Sequence, residues 1–191
     1  MKKLALFDFD HTLYSKDSML EFTKFLKGNP LFYFGIVCLS PQLLGLKLGV
    51  FSNKKVKEKY LSHFFAEMMN DNFIQQSSNF ALQQIDKDVD KTIFNKFRQH
   101  LQAKDTVYIV TASASEWIQP WAQKYNVEVI GTVLERKNNR LTGKLESINC
   151  YGEEKVRRIK KQINLENYTE IVVYGTGKGD LAMLDLAKKS V

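Results

Sequence analysis

The stretch Leu4-Ala5-Leu6-Phe7-Asp8-Phe9-Asp10 constrains the fold of this chain more than any other. A short apolar run ending in two acids at i and i+2 reads as a buried β-strand with carboxylates at its end. Strand side chains alternate, so Asp8 and Asp10 are expected on one side, with Phe7 and Phe9 turned the other way into apolar packing. At the carboxyl end of a parallel strand both acids would face the crevice where open α/β sheets hold ligands. Two carboxylates so close repel, and burial penalises both charges, so they require a cation, a shared proton or water. Taken alone, the pair reads equally as a strand end whose acids meet solvent or cap a helix.

Three further strands are predicted: 107–110, running into Thr111-Ala112-Ser113; 127–131; and 170–174, running into Gly175-Thr176-Gly177-Lys178-Gly179-Asp180. Between them lie helical patterns: Val89, Ile93, Phe94, Phe97 and Leu101; Trp117 and Trp121 four apart, read as core, with Pro120 kinking their segment; the basic run 152–163; and a last helix from Leu181 to about Lys188. Residues 132–145, with Asn138-Asn139 in the middle, predict a β-hairpin over the sheet. Strands alternating with helices imply an α/β, three-layer Rossmann-like core around a parallel sheet.

The first crossover is abnormal. More than ninety residues separate Asp10 from Thr111, far beyond a βαβ connection. An inserted α-helical cap over residues 16–83 explains the excess, leaving 1–15 and 84–191 as the catalytic core. Inside the cap, residues 15–26 read as a helix ended by Gly28-Asn29-Pro30. Residues 31–39 are the most apolar run in the chain, followed by Ser40-Pro41 and the glycine-interrupted 43–51. Pro41 and Lys47 leave it short of the roughly 20 clean apolar residues of a spanning helix. It reads either as a buried helical hairpin or as a surface that touches lipid or covers a greasy substrate. From Ser52-Asn53, residues Val56, Tyr60, Leu61, Phe64, Phe65 and Met68 trace one helix face, opposite a solvated face of Lys54, Lys55, Lys57, Glu58, Lys59 and Glu67. Residues 70–79 read as a polar connection.

The formal charge of +7 favours anionic partners, phosphorylated molecules or an acidic membrane surface among them. Cys38 and Cys150 have no paired Cys or His spacing, which excludes a disulfide framework or zinc site and fits a reducing compartment. His11, His63 and His100 form no ligand spacing either. The apolar run after Lys2-Lys3 meets Asp8 and Asp10 too early for a signal peptide. The expected location is cytoplasmic, with peripheral membrane contact as the extension. The 175–179 glycines lack the G-K-[ST] ending of a phosphate loop.

In order, then, successive elements deliver D-x-D, Thr, Lys and G-x-x-x-x-D. Asp8-Phe9-Asp10-His11-Thr12, the 107–110 strand with Thr111, helix-borne Lys155, and Gly175 to Asp180 resemble the motifs of the haloacid dehalogenase superfamily of phosphohydrolases over nearly the whole chain. The resemblance implies that Asp8 attacks phosphorus to form an aspartyl-phosphate and that Asp10 is the acid and then the base. It implies that Thr111, Ala112 and Lys155 hold the phosphoryl group, and that Mg2+ is bound by Asp8, Asp10 through its backbone carbonyl, and Asp180. The fourth motif usually reads G-D-x-x-x-D; Thr176 stands where its first acid is a direct metal ligand, which predicts weakened Mg2+ binding and reduced turnover. Relatives usually continue into another strand where this chain stops at Val191.

The cap, the Thr-Ala-Ser ending and Gly152-Glu153-Glu154-Lys155-Val156 resemble the phosphoserine-phosphatase-like branch, including phosphatidylglycerophosphate phosphatase relatives. That implies a phospholipid-type phosphate as substrate, with phosphoserine or another small soluble phosphomonoester as the alternative and no nucleic-acid partner. A catalytically weakened phosphate-ligand binding protein and a receiver-like signalling module are the remaining classes, while the long cap and the D-x-D spacing count against the receiver. The oligomeric state is left open.

Overall fold

A computed structural model describes residues 2–187. The last helix, expected to run from Leu181 to about Lys188, ends at Leu184, and the stop at Val191 lies outside the described residues. Four parallel strands form the sheet in the order β3-β2-β1-β6: β1 (Lys3–Phe7), β2 (Thr106–Ala114), β3 (Glu128–Thr132) and β6 (Glu170–Tyr174). β1 lies between β2 and β6, with Phe7 level with Ile109 on one side and Tyr174 on the other. The chain moves outward from β1 through β2 to β3 and then returns across β1 to β6. The order therefore reverses at the carboxyl end of β1, the switch point where open sheets leave a crevice.

Alternation along β1 divides the core. Ala5 and Phe7 point into one apolar layer with Phe97 of α4 (Lys91–Gln102), Trp117, and Trp121 of α5 (Gln119–Ala122). Leu4 and Leu6 point into the other, with Ile159 of α6 (Glu153–Gln162), Ile163, and Met183 of α7 (Leu181–Leu184). This is the α/β three-layer arrangement expected from the sequence. Asp90 caps α4 by accepting from Ile93 N at 2.9 Å, satisfying a first-turn donor. The Trp117–Trp121 segment is one 3-10 turn and the single turn of α5, because the strand runs on to Ala114 and Pro120 falls in the first turn.

Three helices lie between β1 and α4: α1 (Ser18–Lys47), α2 (Asn53–Phe65) and α3 (Asn70–Gln83). α1 is two helical segments joined at Gly28, whose φ of 75° and ψ of 160° no helix residue adopts. The predicted break at Gly28 is therefore present. An aromatic cluster joins these helices to the core: Phe22 stacks on Trp117 at 5.1 Å and meets Phe65, Phe73 and Phe80 within 5.8 Å.

The structure corrects three sequence expectations. Residues 70–79 are not a polar connection but most of α3, where Phe73, Ser77, Phe80 and Ala81 fall at helical spacing on its buried face. The hairpin of β4 (Leu134–Lys137) and β5 (Arg140–Leu145) exists, with Asn138 and Asn139 at φ 49° and 58° in its turn. It lies against α2 rather than over the sheet, with Leu145 N donating to Glu58 Oε1 at 3.2 Å and Gly143 on the backbone of Ser62. The buried-hairpin reading of 31–51 is overturned, since Leu31, Phe34, Val37, Leu44, Leu48 and Val50 are all more than half exposed.

Candidate active site

β1 ends at Phe7, and the chain then turns sharply: Thr12 N and Tyr14 N both donate to Phe9 O, and His11 takes a φ of 58°. Asp8 and Asp10 are thus beyond the strand, and strand alternation does not hold between them. Phe7 and Phe9 are fully buried as expected, and both acids reach one cavity, but their carboxylates are held by different groups.

Asp8 belongs to a buried ionic cluster. Lys155 Nζ donates to Asp8 Oδ1 at 2.6 Å, Asp180 Oδ1 at 2.7 Å and Val110 O at 2.8 Å. Lys155 is 1% exposed although its helix is basic. Its register explains this, since Lys155 shares the inward face of α6 with Ile159 one turn later. Burial pulls the Lys155 ammonium down, but Asp8 and Asp180 outweigh it and hold the pKa above the ordinary lysine value. Burial likewise pushes Asp8 up, to about 6, against the lowering effect of Lys155. Asp180 Oδ2 accepts from Thr176 N at 3.1 Å and Gly177 N at 2.8 Å, which folds the 175–180 loop around it.

Asp10 is held by the helix side of the cavity: Oδ1 accepts from Ser18 N at 2.6 Å and Oδ2 from Ser113 Oγ at 2.5 Å. Burial raises its pKa, and neighbouring Asp17 adds to the effect. Asp10 is therefore biased towards holding a proton while Asp8 has a counter-cation.

Thr111 is fully buried within β2, where its Oγ1 accepts from Ser113 N at 3.0 Å. The strand continues three residues past it. Ala112 and Ser113, not Thr111, line the cavity.

The cavity encloses about 630 Å3. Its polar end is formed by Asp8, Asp10, Ser113 and Lys155, and its far wall by Met19, Leu20, Phe32, Ile36 and Val56 from α1 and α2. Lys57, expected on a solvated face, instead lines this cavity, half-buried, with Nζ donating to Ala112 O at 2.5 Å and Asn149 Oδ1 at 3.0 Å. Desolvation lowers its pKa to about 8. The missed signal is positional: Lys57, Tyr60, Leu61 and Phe64 lie at i, i+3, i+4 and i+7, on the buried stripe itself. Asn149 and Ser113 were also missed. Asn149 is positioned by Thr132 Oγ1 at 3.0 Å and by Arg158, which bonds Ile148 O at 2.6 Å and is itself held by Glu154.

A hard cation requires oxygen ligands. Asp8 Oδ2, Thr12 Oγ1, Thr176 Oγ1 and His11 O form a chain of contacts of 3.1, 3.2 and 3.1 Å. This all-oxygen group suits such a cation in donor chemistry but carries one formal negative charge. Among the described residues no three His, Cys, Asp or Glu side chains converge as a metal site. Thr176, where a third acid was expected, spends its hydroxyl on Thr12 and His11. His100 is a structural contact, its Nδ1 2.7 Å from Asp105 and its Nε2 3.0 Å from the Tyr174 hydroxyl.

A family model for haloacid dehalogenase-like hydrolases matches residues 5–185. Protein CicA of Caulobacter vibrioides is 29% identical over 199 residues, covering 96% of this chain and 82% of CicA. A Bordetella pertussis Tohama I protein of unknown function has a solved structure that superposes with a TM-score of 0.84 at 25% identity, covering 99% of this chain and 88% of that one. A phospho-aspartyl intermediate analogue of phosphoserine phosphatase gives a TM-score of 0.62 at 19% identity, covering 97% of this chain and 83% of that one, a likeness of fold.

Proposed function

For a chain that belongs to the haloacid dehalogenase-like hydrolases, we propose hydrolysis of a phosphomonoester through an aspartyl-phosphate on Asp8, the ester carrying an apolar, phospholipid-type group. The observation that carries this reading is the buried Asp8–Lys155–Asp180 cluster at the polar end of a cavity whose opposite wall is apolar.

Asp8 forms a bond from one carboxylate oxygen to phosphorus as the ester P–O bond breaks. Asp10 gives its proton to the leaving alkoxide, a role its raised pKa supports. Water then attacks phosphorus, Asp10 takes a proton from it, and the acyl-phosphate bond breaks to return Asp8 and release inorganic phosphate. Lys155 and the 111–113 segment of β2 stabilise charge on the phosphoryl oxygens in place. Lys57 supplies a second cation to that segment from α2. Mg2+ would be held by Asp8 and the Asp10 backbone carbonyl, with Thr176 and Asp180 beside it, and when bound adds positive charge against the phosphoryl oxygens. Residues 16–83 act as the cap that excludes water and selects the alcohol part, and the β4–β5 hairpin braces it on α2; residues 1–15 and 84–191 are the core.

Asp17 and Lys57 both line the cavity, and their opposite charges favour a second reading, phosphoserine or a similar small zwitterionic ester. Phosphate release with Mg2+ from a panel containing phosphoserine, glycerol phosphate and a short-chain phosphatidic acid, with Asp8→Asn as control, decides between them. The highest kcat/KM is expected on the apolar ester. Preference for phosphoserine transfers the assignment to the second reading. Failure to release phosphate from any ester leaves a phosphate-ligand binding protein.

A further inference from the structure

The second segment of α1, residues 29–47, is almost wholly apolar in sequence, yet among the described side chains only one side of it meets protein. Phe32 and Leu39 are buried, and Gly35 lies so close to α2 that a Cβ there would be 2.3 Å from the Phe64 ring. The opposite side presents Leu31, Phe34, Val37 and Leu44, between 58% and 68% exposed, and the following turn adds Leu48 and Val50, both at 69%. A helix apolar all round is normally buried on every side, and a contiguous exposed apolar face of this size marks an interaction surface.

Charge identifies the occupant. From Lys27 to Lys55 the sequence holds four lysines, at 27, 47, 54 and 55, and no Asp or Glu. Lys55, Lys59 and Lys144 surround a second cavity of about 360 Å3 together with Phe51 and Gln42, with Glu58 the acid in its wall. An apolar face with a cationic flank is complementary to an anionic bilayer, whose headgroups take the lysines while its acyl region takes the apolar side chains. This surface suits a segment lying on a bilayer, not one crossing it. Although Ser18–Leu46 has the length and composition to span, the chain breaks at Gly28, the first segment is anchored in the core by Phe22, and the inner side of the second is committed to α2.

We propose that the Leu31–Phe34–Val37–Leu44 face docks on anionic lipid and sets the catalytic cavity's mouth against the membrane; Tyr33 is 59% exposed and also lines that cavity. This deepens, and rests on, the reading of an apolar phosphomonoester substrate, because an ester of that kind would enter directly from the bilayer.

The test is co-sedimentation of the whole chain with phosphatidylcholine vesicles, with and without phosphatidylglycerol, beside a Phe34→Ser/Val37→Ser variant. Neither residue lines the cavity. The expected result is binding to the phosphatidylglycerol vesicles that salt weakens, with the partition coefficient of the variant lower by about a hundredfold, a factor of ten or more for each side chain withdrawn from the acyl region. Hydrolysis of soluble p-nitrophenyl phosphate is expected to be unchanged in the variant, which shows it folded. Absence of vesicle binding overturns the proposal, as does binding that the variant retains. Sedimentation velocity showing a dimer that the variant dissolves, without vesicle binding, assigns the face to a second copy and also overturns it. Vesicle binding without p-nitrophenyl phosphate hydrolysis in either protein leaves the docking surface standing and rejects the phosphatase reading.

Discussion

Replacing Lys57 with Met keeps most of the side chain's volume and removes its charge. In the protein, that ammonium bonds Ala112 O and Asn149 Oδ1 across the gap between α2 and the end of β2. A hydrogen bond made by a charged group contributes about 1.5–3 kcal/mol, so kcat/KM for a phosphomonoester should fall about 10- to 100-fold. The pH profile separates this from a packing effect. Lys57 is lowered to about 8 by desolvation, so wild-type kcat/KM should decline as pH rises through about 8, and Lys57→Met should lack that limb. Lys57→Arg should restore activity with the limb moved to higher pH. Stability should respond in the opposite sense. The folded pKa lies below the ordinary 10.5, the unfolded chain binds more protons between the two values, and wild-type stability should rise from pH 8 towards 10.5. The full shift would correspond to about 3 kcal/mol. Partial solvent screening and the two hydrogen bonds lost reduce the gain of Lys57→Met at pH 7 to about 1 kcal/mol. Steady-state kinetics and urea melts of the three proteins measure both effects, and a Met variant with wild-type kcat/KM and an unchanged alkaline limb would refute the reasoning.

Thr176→Asp adds a carboxylate to the oxygen group at Asp8 and Thr12; Mg2+ should bind at least about tenfold more tightly by titration calorimetry, and the melting temperature should rise with Mg2+ more than in the wild type. Equal affinity in the two proteins would count against Thr176 as the weak point. Asp10→Asn removes the proton donor and should lower kcat by about 10²- to 10⁴-fold on an alkyl phosphate but far less on p-nitrophenyl phosphate, whose leaving group needs no proton. Equal losses on both substrates would remove Asp10 from that role. Glu154 is held down to about 2 by its hydrogen bond with Arg157 and by Arg158, so its stabilisation is present above its ordinary 4.5 and is lost as pH falls towards about 2. Glu154→Gln should therefore cost about 1–2 kcal/mol near neutrality and flatten the acid limb of stability between those values, measured by urea melts against pH.

The core was legible because each of its signals is local. β1, β2, β3 and β6 are short apolar runs bounded by polar turns, and Asp8, Asp10, Thr111, Lys155 and Asp180 each occur at or near the end of one or in a following element. Their convergence required only the parallel sheet. The region between Asp10 and α4 was less legible, since its elements are positioned by non-local packing. Gly35 against Phe64 and Phe22 against Trp117 decide which side of α1 is covered, and no spacing within 31–51 records this because every side is apolar. α3 was hidden by its polar composition, although Phe73, Phe80 and Ala81 carried its period. Lys57 was misread because charge was weighed ahead of register. Thr111 was placed at a strand end when β2 runs on to Ala114, which buries Thr111 and leaves Ala112 and Ser113 to line the cavity.

The covalent step at Asp8 is open to direct measurement by an acid-quenched reaction with a radiolabelled phosphomonoester and Mg2+, followed by digestion and identification of the labelled peptide. Acid-stable, hydroxylamine-labile label is expected on the peptide that contains Asp8, and none in Asp8→Asn. Phosphate release that persists undiminished in Asp8→Asn, or label on another residue, would contradict it.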